Sequence, residues 1–155
     1  MSSNVAEPIF KEALSRFPTG VTIVTVGSGH ERNGTTVNAF TSISLAPPVI
    51  LVSLDRSSVT GQLLASMTKF CVNILNTSPD HIDLAKAFAT RTKEWSYRQW
   101  IDGPWGPFLN DGAANLGCEV CERIVVGDHT IFLGEVQEAI IRELKPLIYV
   151  CRNFV

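Results

Sequence analysis

Short runs of apolar and β-branched residues, separated by turn residues, recur along most of the chain. The run Val-Thr-Ile-Val-Thr-Val at residues 21–26 is typical of a strand, and the apolar run at 49–54 is typical of a buried one. The pattern predicts six or seven strands, at residues 21–26, 35–45, 49–54, 69–75, 116–126, 130–141 and 147–154. Because neighbouring strands are joined by short connections, we expect a mainly antiparallel sheet closed as a barrel.

Helix and turn signals fill the remaining segments. Pro8 opens a helical pattern that ends at Pro18, and Ser78-Pro79 can cap and start a second helix that ends near Arg91. A shorter helix is expected at residues 60–66, capped by Thr60. Asn33-Gly34 is a strong hairpin signal. The Trp-, Gly- and Pro-rich residues 92–115 are expected to be irregular, and residues 95–105 within them to offer aromatic surface to a second subunit.

Composition narrows the class of protein. A chain of 155 residues is the length of one domain, and 45% hydrophobic residues can fill a core. A net charge of −2 without a basic block argues against nucleic acid and anionic membranes as partners. The N-terminus carries no export signal, so a cytoplasmic location is the expectation. Cys118 and Cys121 form C-x-x-C, but they fall on a predicted strand without a second Cys/His pair, so no metal site is expected.

Three polar segments are candidates for binding chemistry. Residues 36–42 place hydroxyl and amide groups along a strand, and residues 53–58 place hydroxyls and a cation just before a helix. Backbone N–H groups at a helix start suit a phosphate, and Arg91 supplies a second cation. The alternative is that these are ordinary strand-edge and turn residues. No glycine-rich nucleotide fingerprint, P-loop or nucleophile motif is present.

The three histidines lie at different kinds of position. His30 falls in a polar turn and His81 in a first helical turn, and both are expected to be solvated. His129 follows a tight turn and precedes an apolar strand, which favours a structural role when the residues are considered alone.

Five segments, in order and in register, resemble the flavin reductase-like family of split-barrel flavoproteins. They are residues 17–25, 36–48, 70–75, 84–89 and 127–136, the last beginning Gly-Asp-His-Thr. The family includes the reductase components of two-component flavin-dependent monooxygenases. The resemblance therefore implies a homodimer of antiparallel Greek-key split β-barrels. It also implies an NADH-dependent enzyme that reduces FMN or FAD and supplies the reduced flavin to a partner monooxygenase.

The same resemblance implies a set of site residues. The isoalloxazine and ribityl chain would lie along Thr36, Val37, Asn38, Ala39, Phe40 and Ser42. The ribityl and phosphate groups would be held by Ser53, Leu54, Asp55, Ser57 and Ser58, and closed in by Phe88, Ala89 and Arg91. The nicotinamide would be faced by Thr19, His129 and Phe154, with His129 positioning it for hydride transfer.

The last strand departs from the family pattern. Relatives often carry Arg-Gly-x-Tyr there, whereas this chain has Cys-Arg-Asn-Phe at residues 151–154. This departure keeps open a flavin carrier or sensor without rapid NADH oxidation. Two further alternatives are a pyridoxamine-phosphate-oxidase-like enzyme, which shares the barrel, and an interaction barrel that binds no flavin.

Overall fold

The structure is a computed structural model that describes residues 4–91, 93 and 95–155. Within these residues the α-helices are α1 Glu7–Ser15, α2 Val59–Leu64 and α3 Pro79–Phe88. The strands are β1 Thr19–Gly20, β2 Thr22–Val26, β3 Asn33–Val37, β4 Phe40–Leu45, β5 Pro48–Asp55, β6 Lys69–Ile74, β7 Trp100–Ile101, β8 Phe108–Leu109, β9 Ala114–Val126, β10 His129–Ile141, β11 Ile148–Val150 and β12 Asn153–Phe154. None of the helices in this part of the chain is long and apolar enough to cross a membrane.

Seven strands form one antiparallel sheet in the order β3-β2-β6-β9-β10-β5-β4. The chain passes from β3 at one edge to β4 at the other through Asn38 and Ala39. The Ser53 N–H donates to the Ala39 carbonyl at 3.1 Å, which ties this crossing to β5. The two edges of the sheet are thereby brought together, and the predicted antiparallel Greek-key split barrel is confirmed.

The barrel interior is filled by the apolar face of the sheet. Phe70 and Phe132 are fully buried there, packed with the β-branched residues of β2 and β5. A second cluster lies between α3 and the irregular segment that follows it. In this cluster Phe88 contacts Trp95 and Trp100, with ring centroids 4.9 and 5.4 Å apart. The expectation of exposed aromatic surface at residues 95–105 is therefore wrong for these two tryptophans, because they cover Phe88.

Three local predictions need correction, each for an identifiable reason. The extended segment 35–45 is two strands, because the chain crosses between sheet edges after Val37. The segment 147–154 is also two strands, because Cys151 and Arg152 adopt positive φ values of 49° and 61° and form a tight turn. Asn33-Gly34 starts β3 instead of forming the hairpin turn, which the 3-10 turn Gly29–Glu31 provides.

The short helix α2 begins earlier than its sequence pattern indicates. Ser58 is the N-cap, and its hydroxyl accepts a hydrogen bond from the Gly61 N–H at 3.0 Å. Thr60 is buried instead, and its hydroxyl donates to Asn33 Oδ1 at 2.8 Å. The predicted cap at Thr60 is therefore wrong, because this hydroxyl joins α2 to β3.

Large apolar side chains remain exposed on two parts of the molecule. On the sheet, Leu45 at the end of β4 is 90% exposed and Ile141 at the end of β10 is 82% exposed. On α1, no residue is buried, and Phe17 just beyond it is 72% exposed. Exposed apolar surface of this extent is typical of a protein that associates with another chain.

Candidate functional site

Two pockets meet at Ala89, the residue that ends α3. The first, here called the cationic pocket, has a volume of about 450 Å³. It is lined by Asn33, Thr35, Asp55, Ser57, Ser58, Val59, Thr60, Ala89, Thr90, Arg91 and Lys93. The second, here called the aromatic pocket, has a volume of about 440 Å³. It is lined by Val21, Thr36, Asn38, Ala85, Lys86, Ala89, Tyr149, Arg152 and Phe154.

The cationic pocket has two basic side chains on the segment after α3. Arg91, which the sequence analysis singled out, is exposed. Lys93, which it missed, is half-buried, and its ammonium donates to the Phe88 carbonyl at 2.8 Å. Burial lowers the pKa of Lys93 from its ordinary value, because desolvation disfavours the charged form. A bound anion would offset that desolvation, so this end of the pocket suits a phosphate.

The serine loop, which consists of residues 55–58, also contributes to this pocket. Its carboxylate and hydroxyl groups form hydrogen bonds within the loop. Asp55 Oδ1 accepts from both the Ser57 hydroxyl and the Ser57 N–H, each at 2.7 Å, and these bonds hold the pKa of Asp55 below its ordinary value. Ser58 both caps α2 and donates to the Asp55 carbonyl at 2.8 Å. Because a carboxylate repels anions, the side of the pocket with Arg91 and Lys93 suits an anion better than the side with Asp55.

The aromatic pocket brings together residues from four separate elements. Thr36 of β3 donates its hydroxyl to the Ala85 carbonyl of α3 at 2.7 Å, which fixes one wall. Tyr149 and Phe154 also line this pocket, and their ring centroids lie 5.1 Å apart. Tyr149 had no motif to mark it in the sequence. Aromatic side chains beside uncharged strand backbone are suited to a flat heterocycle.

Several residues predicted to bind the flavin line neither pocket. They are Val37, Ala39, Phe40, Ser42, Ser53, Leu54 and Phe88. The side chains of Val37, Leu54 and Phe88 are in the cores, with at most 6% of their surface exposed, so these residues can offer a ligand only their backbone. Ala39 is exposed on the crossing, next to the aromatic pocket residue Asn38, and Ser42 is exposed within β4.

The predicted nicotinamide residues are only partly brought together. Thr19 pairs with Tyr149 and Tyr149 with Phe154, so these three residues lie side by side across the small sheet. Of the three, Tyr149 and Phe154 line the aromatic pocket and Thr19 does not. The Thr19 hydroxyl is buried without a hydrogen-bond partner in the described part of the chain. His129 lies elsewhere, paired with Asp55 at the end of β5. Its Nδ1 is 2.8 Å from Asp128 Oδ1.

His81 is completely buried, so the prediction that it is solvated is wrong. Its Nδ1 accepts the Asn76 N–H at 3.0 Å, and its Nε2 is 3.0 Å from Asp111 Oδ1. The Tyr97 hydroxyl donates to the other oxygen of Asp111 at 2.6 Å; burial, followed by this bond, raises the pKa of Tyr97. Sequence reasoning could not find this network, because Asp111 is 30 residues from His81.

Comparison with known proteins identifies the family. The flavin reductase like domain family matches residues 14–155. The chain belongs to this family. Family membership confirms the resemblance and the predicted flavin reductase function, and it favours that function over the carrier, pyridoxamine-phosphate-oxidase-like and interaction-barrel alternatives.

Relatives of this flavin reductase are found among both sequences and solved structures. It is 38% identical over 133 residues to the NADH-dependent FAD reductase of Streptomyces globisporus, covering 81% of this chain and 71% of the relative. A solved structure, the Streptomyces globisporus C-1027 NADH:FAD oxidoreductase SgcE6 in complex with NAD and FAD fragments, superposes with a TM-score of 0.89 at 32% identity, covering 99% of this chain and 96% of the other. The styrene monooxygenase flavin reductase SMOB of Pseudomonas putida S12 superposes with a TM-score of 0.84 at 29% identity, covering 94% and 95%.

Proposed function

We propose that this flavin reductase oxidises NADH, transfers the hydride to FMN or FAD, and supplies the reduced flavin to a partner monooxygenase. The observation that carries the proposal is the pair of pockets joined at Ala89, one cationic and one aromatic. A flavin nucleotide has the same two parts, an anionic phosphate and a flat ring. The relatives named as an NADH-dependent FAD reductase and as the reductase of a styrene monooxygenase support the donor and the partner.

The residues of the two pockets fit a flavin. Arg91 and Lys93 would hold the phosphate, Asp55 and its serine loop would meet the ribityl hydroxyls, and Thr36 and Asn38 would lie along the ring. When bound, the flavin supplies the chemistry of hydride acceptance, and the protein supplies binding and orientation.

The protein contributes to hydride transfer without an acid or base. Asn38 and Ala39 lie between β3 and β4, outside the strand pairings, and we propose that their backbone N–H groups face the ring. Fixed N–H dipoles stabilise negative charge as it develops on a ring and need no reorganisation. Binding both substrates side by side further accelerates hydride transfer, because the transfer then becomes effectively unimolecular.

We propose that the nicotinamide lies on the side of Thr19 and Phe154. The unpartnered Thr19 hydroxyl and the Tyr149–Phe154 pair supply a polar group and a flat surface there. His129, next to Asp55, is proposed to contact the dinucleotide from the other side of the site.

A steady-state assay tests the proposed function directly. Absorbance at 340 nm is followed with NADH or NADPH as donor and FMN, FAD or riboflavin as acceptor. We expect NADH consumption that requires added flavin and is faster with NADH than with NADPH. Flavin binding without NADH consumption would contradict the reductase proposal and favour a flavin carrier.

A further inference from the structure

The turn between β11 and β12 holds a charged side chain in an unusual backbone conformation. Arg152 has φ = 61°, in the left-handed region that favours glycine. The turn is held in place because the Cys151 N–H donates to the Ser15 carbonyl at the end of α1 at 2.7 Å. A non-glycine residue kept in such a conformation points to a use for its side chain.

Arg152 lines the aromatic pocket, and its guanidinium pairs with Glu12, a residue that does not line the pocket. Arg152 Nη2 lies 3.1 Å from Glu12 Oε2, while the other oxygen of Glu12 lies 2.7 Å from Arg16 Nη2. A guanidinium has five N–H donors, so one bond to Glu12 leaves donors for a ligand. Glu12 and Arg16 are not among the residues that line the pocket.

The lining of the aromatic pocket carries positive charge alone. Its described residues include the two cations Lys86 and Arg152 and no carboxylate. The pocket therefore attracts an anion as well as a flat ring. The phosphate of the flavin already has cations of its own in the cationic pocket, beyond Ala89. The anion left without a partner is then the phosphate portion of the nicotinamide dinucleotide.

We propose that Arg152, together with Lys86, binds the pyrophosphate of NADH and thereby sets the affinity of this flavin reductase for its hydride donor. The inference rests on the proposed function, since it takes NADH to be the donor. The planar guanidinium can contact two phosphate oxygens at once, and Lys86 adds a point charge. Arg152 is thus a binding residue that this chain has at a position where relatives often carry glycine.

The test compares Arg152→Gln with two matched variants. Arg152→Lys keeps the charge, and Arg16→Gln removes the other cation on Glu12 without touching the pocket. The apparent KM is measured at saturating flavin with NADH and with 1-benzyl-1,4-dihydronicotinamide, a donor without phosphate. We expect Arg152→Gln to raise the KM for NADH about tenfold, as loss of one charged hydrogen bond predicts, and to leave the phosphate-free donor within about twofold. Arg152→Lys should fall between, and Arg16→Gln should match the unmodified enzyme.

Binding of ADP-ribose to the flavin-loaded protein, measured by calorimetry, separates this inference from the proposed function. Because ADP-ribose carries the pyrophosphate, it should bind Arg152→Gln about tenfold more weakly than the unmodified protein, whether or not the protein oxidises NADH. Equal effects on both hydride donors, or unchanged ADP-ribose affinity, would overturn the assignment. The assignment would also be overturned if Arg152→Gln raised the apparent KM for NADPH but not for NADH, because the contact would then be to the 2′-phosphate.

Discussion

At the scale of single residues, the site depends on charges that lie close in space and belong to different elements. The proposed phosphate end has Arg91 and Lys93 from the segment after α3, and the end of β5 brings Asp55 to the same pocket. The depressed pKa values of Lys93 and Asp55 have different causes. Desolvation disfavours the Lys93 ammonium, whereas hydrogen bonds from Ser57 stabilise the Asp55 carboxylate.

Removal of either cation should weaken phosphate-bearing flavins selectively. We expect Arg91→Gln and Lys93→Gln each to weaken FMN and FAD binding by about tenfold and riboflavin by much less, because riboflavin has no phosphate. Fluorescence titration with the three flavins measures this. Lys11→Gln on α1, outside both pockets, is the control. Equal losses for all three flavins would show that these cations do not bind the phosphate.

A second prediction at this scale concerns His129. Replacement by asparagine should raise the apparent KM for NADH and slow reduction of bound flavin, by up to about a hundredfold if the nicotinamide is misplaced. Flavin affinity should stay nearly unchanged. Stopped-flow reduction of pre-bound flavin measures the rate. The same change at the exposed His30 of the 3-10 turn Gly29–Glu31, His30→Asn, serves as the control. An unaltered reduction rate with unaltered NADH saturation would reject the role.

At the scale of elements, close contacts between a loop and the sheet set the shape of the barrel wall. Trp105, in the loop between β7 and β8, packs directly on Gly117 of β9. Its indole N–H donates to Glu138 of β10 at 3.0 Å, and Lys69 of β6 lies 5.1 Å from its ring centroid. The loop is thereby fixed across three neighbouring strands. A glycine is needed at position 117 because the indole occupies the space of a side chain.

Gly117→Ala should therefore destabilise the fold. A Cβ there would overlap the Trp105 ring, so the indole has to move, at a cost of about 1–3 kcal/mol. Urea denaturation followed by tryptophan fluorescence gives the free energy of unfolding. Gly20→Ala is the matched control, because nothing lies within 4 Å of a Cβ at that strand glycine. Equal stability of both variants would contradict this account of Trp105.

At the scale of the whole molecule, apolar surface remains where the barrel and α1 face outward. Leu45, Ile141 and Phe17 are exposed by 90%, 82% and 72%. The homodimer implied by the family resemblance remains a proposal, and this surface is now its physical basis. The sequence pattern points to the tryptophans of residues 95–105 as the dimer surface. Trp95 and Trp100 pack against Phe88, so they are no longer the basis for the homodimer.

Light scattering should give about twice the chain mass of 17.0 kDa, because a dimer would bury this apolar surface. Leu45→Glu with Ile141→Glu should shift the protein toward the monomer, since both exposed positions would then carry charge into the contact. An unchanged circular dichroism spectrum would show that the variant remains folded. A mass of 17.0 kDa for the unmodified protein would refute the homodimer.

The sequence by itself determined the main strands, helix α3 and the family. Strands β2, β5, β6, β9 and β10 fall where β-branched and apolar runs predict them, because such runs leave a strong local signal. Strands β2 and β6 are buried along nearly their whole length, whereas β5 alternates between buried and more exposed residues. Helix α3 starts at Pro79 after its Ser78 cap, as the local pattern indicates. The C-x-x-C pair lies on β9 with Cys118 buried and Cys121 exposed, in agreement with alternation along a strand.

The tertiary structure alone decided which residues meet. The buried His81 has its partner in Asp111. The turn at Arg152 completes the aromatic pocket, and Lys93 completes the cationic pocket. No local pattern marks these residues, because their partners are distant in the sequence. The separation of His129 from Phe154 has the same origin. Strand periodicity determines which face a side chain occupies, whereas the closure of the sheet determines its neighbours across the site.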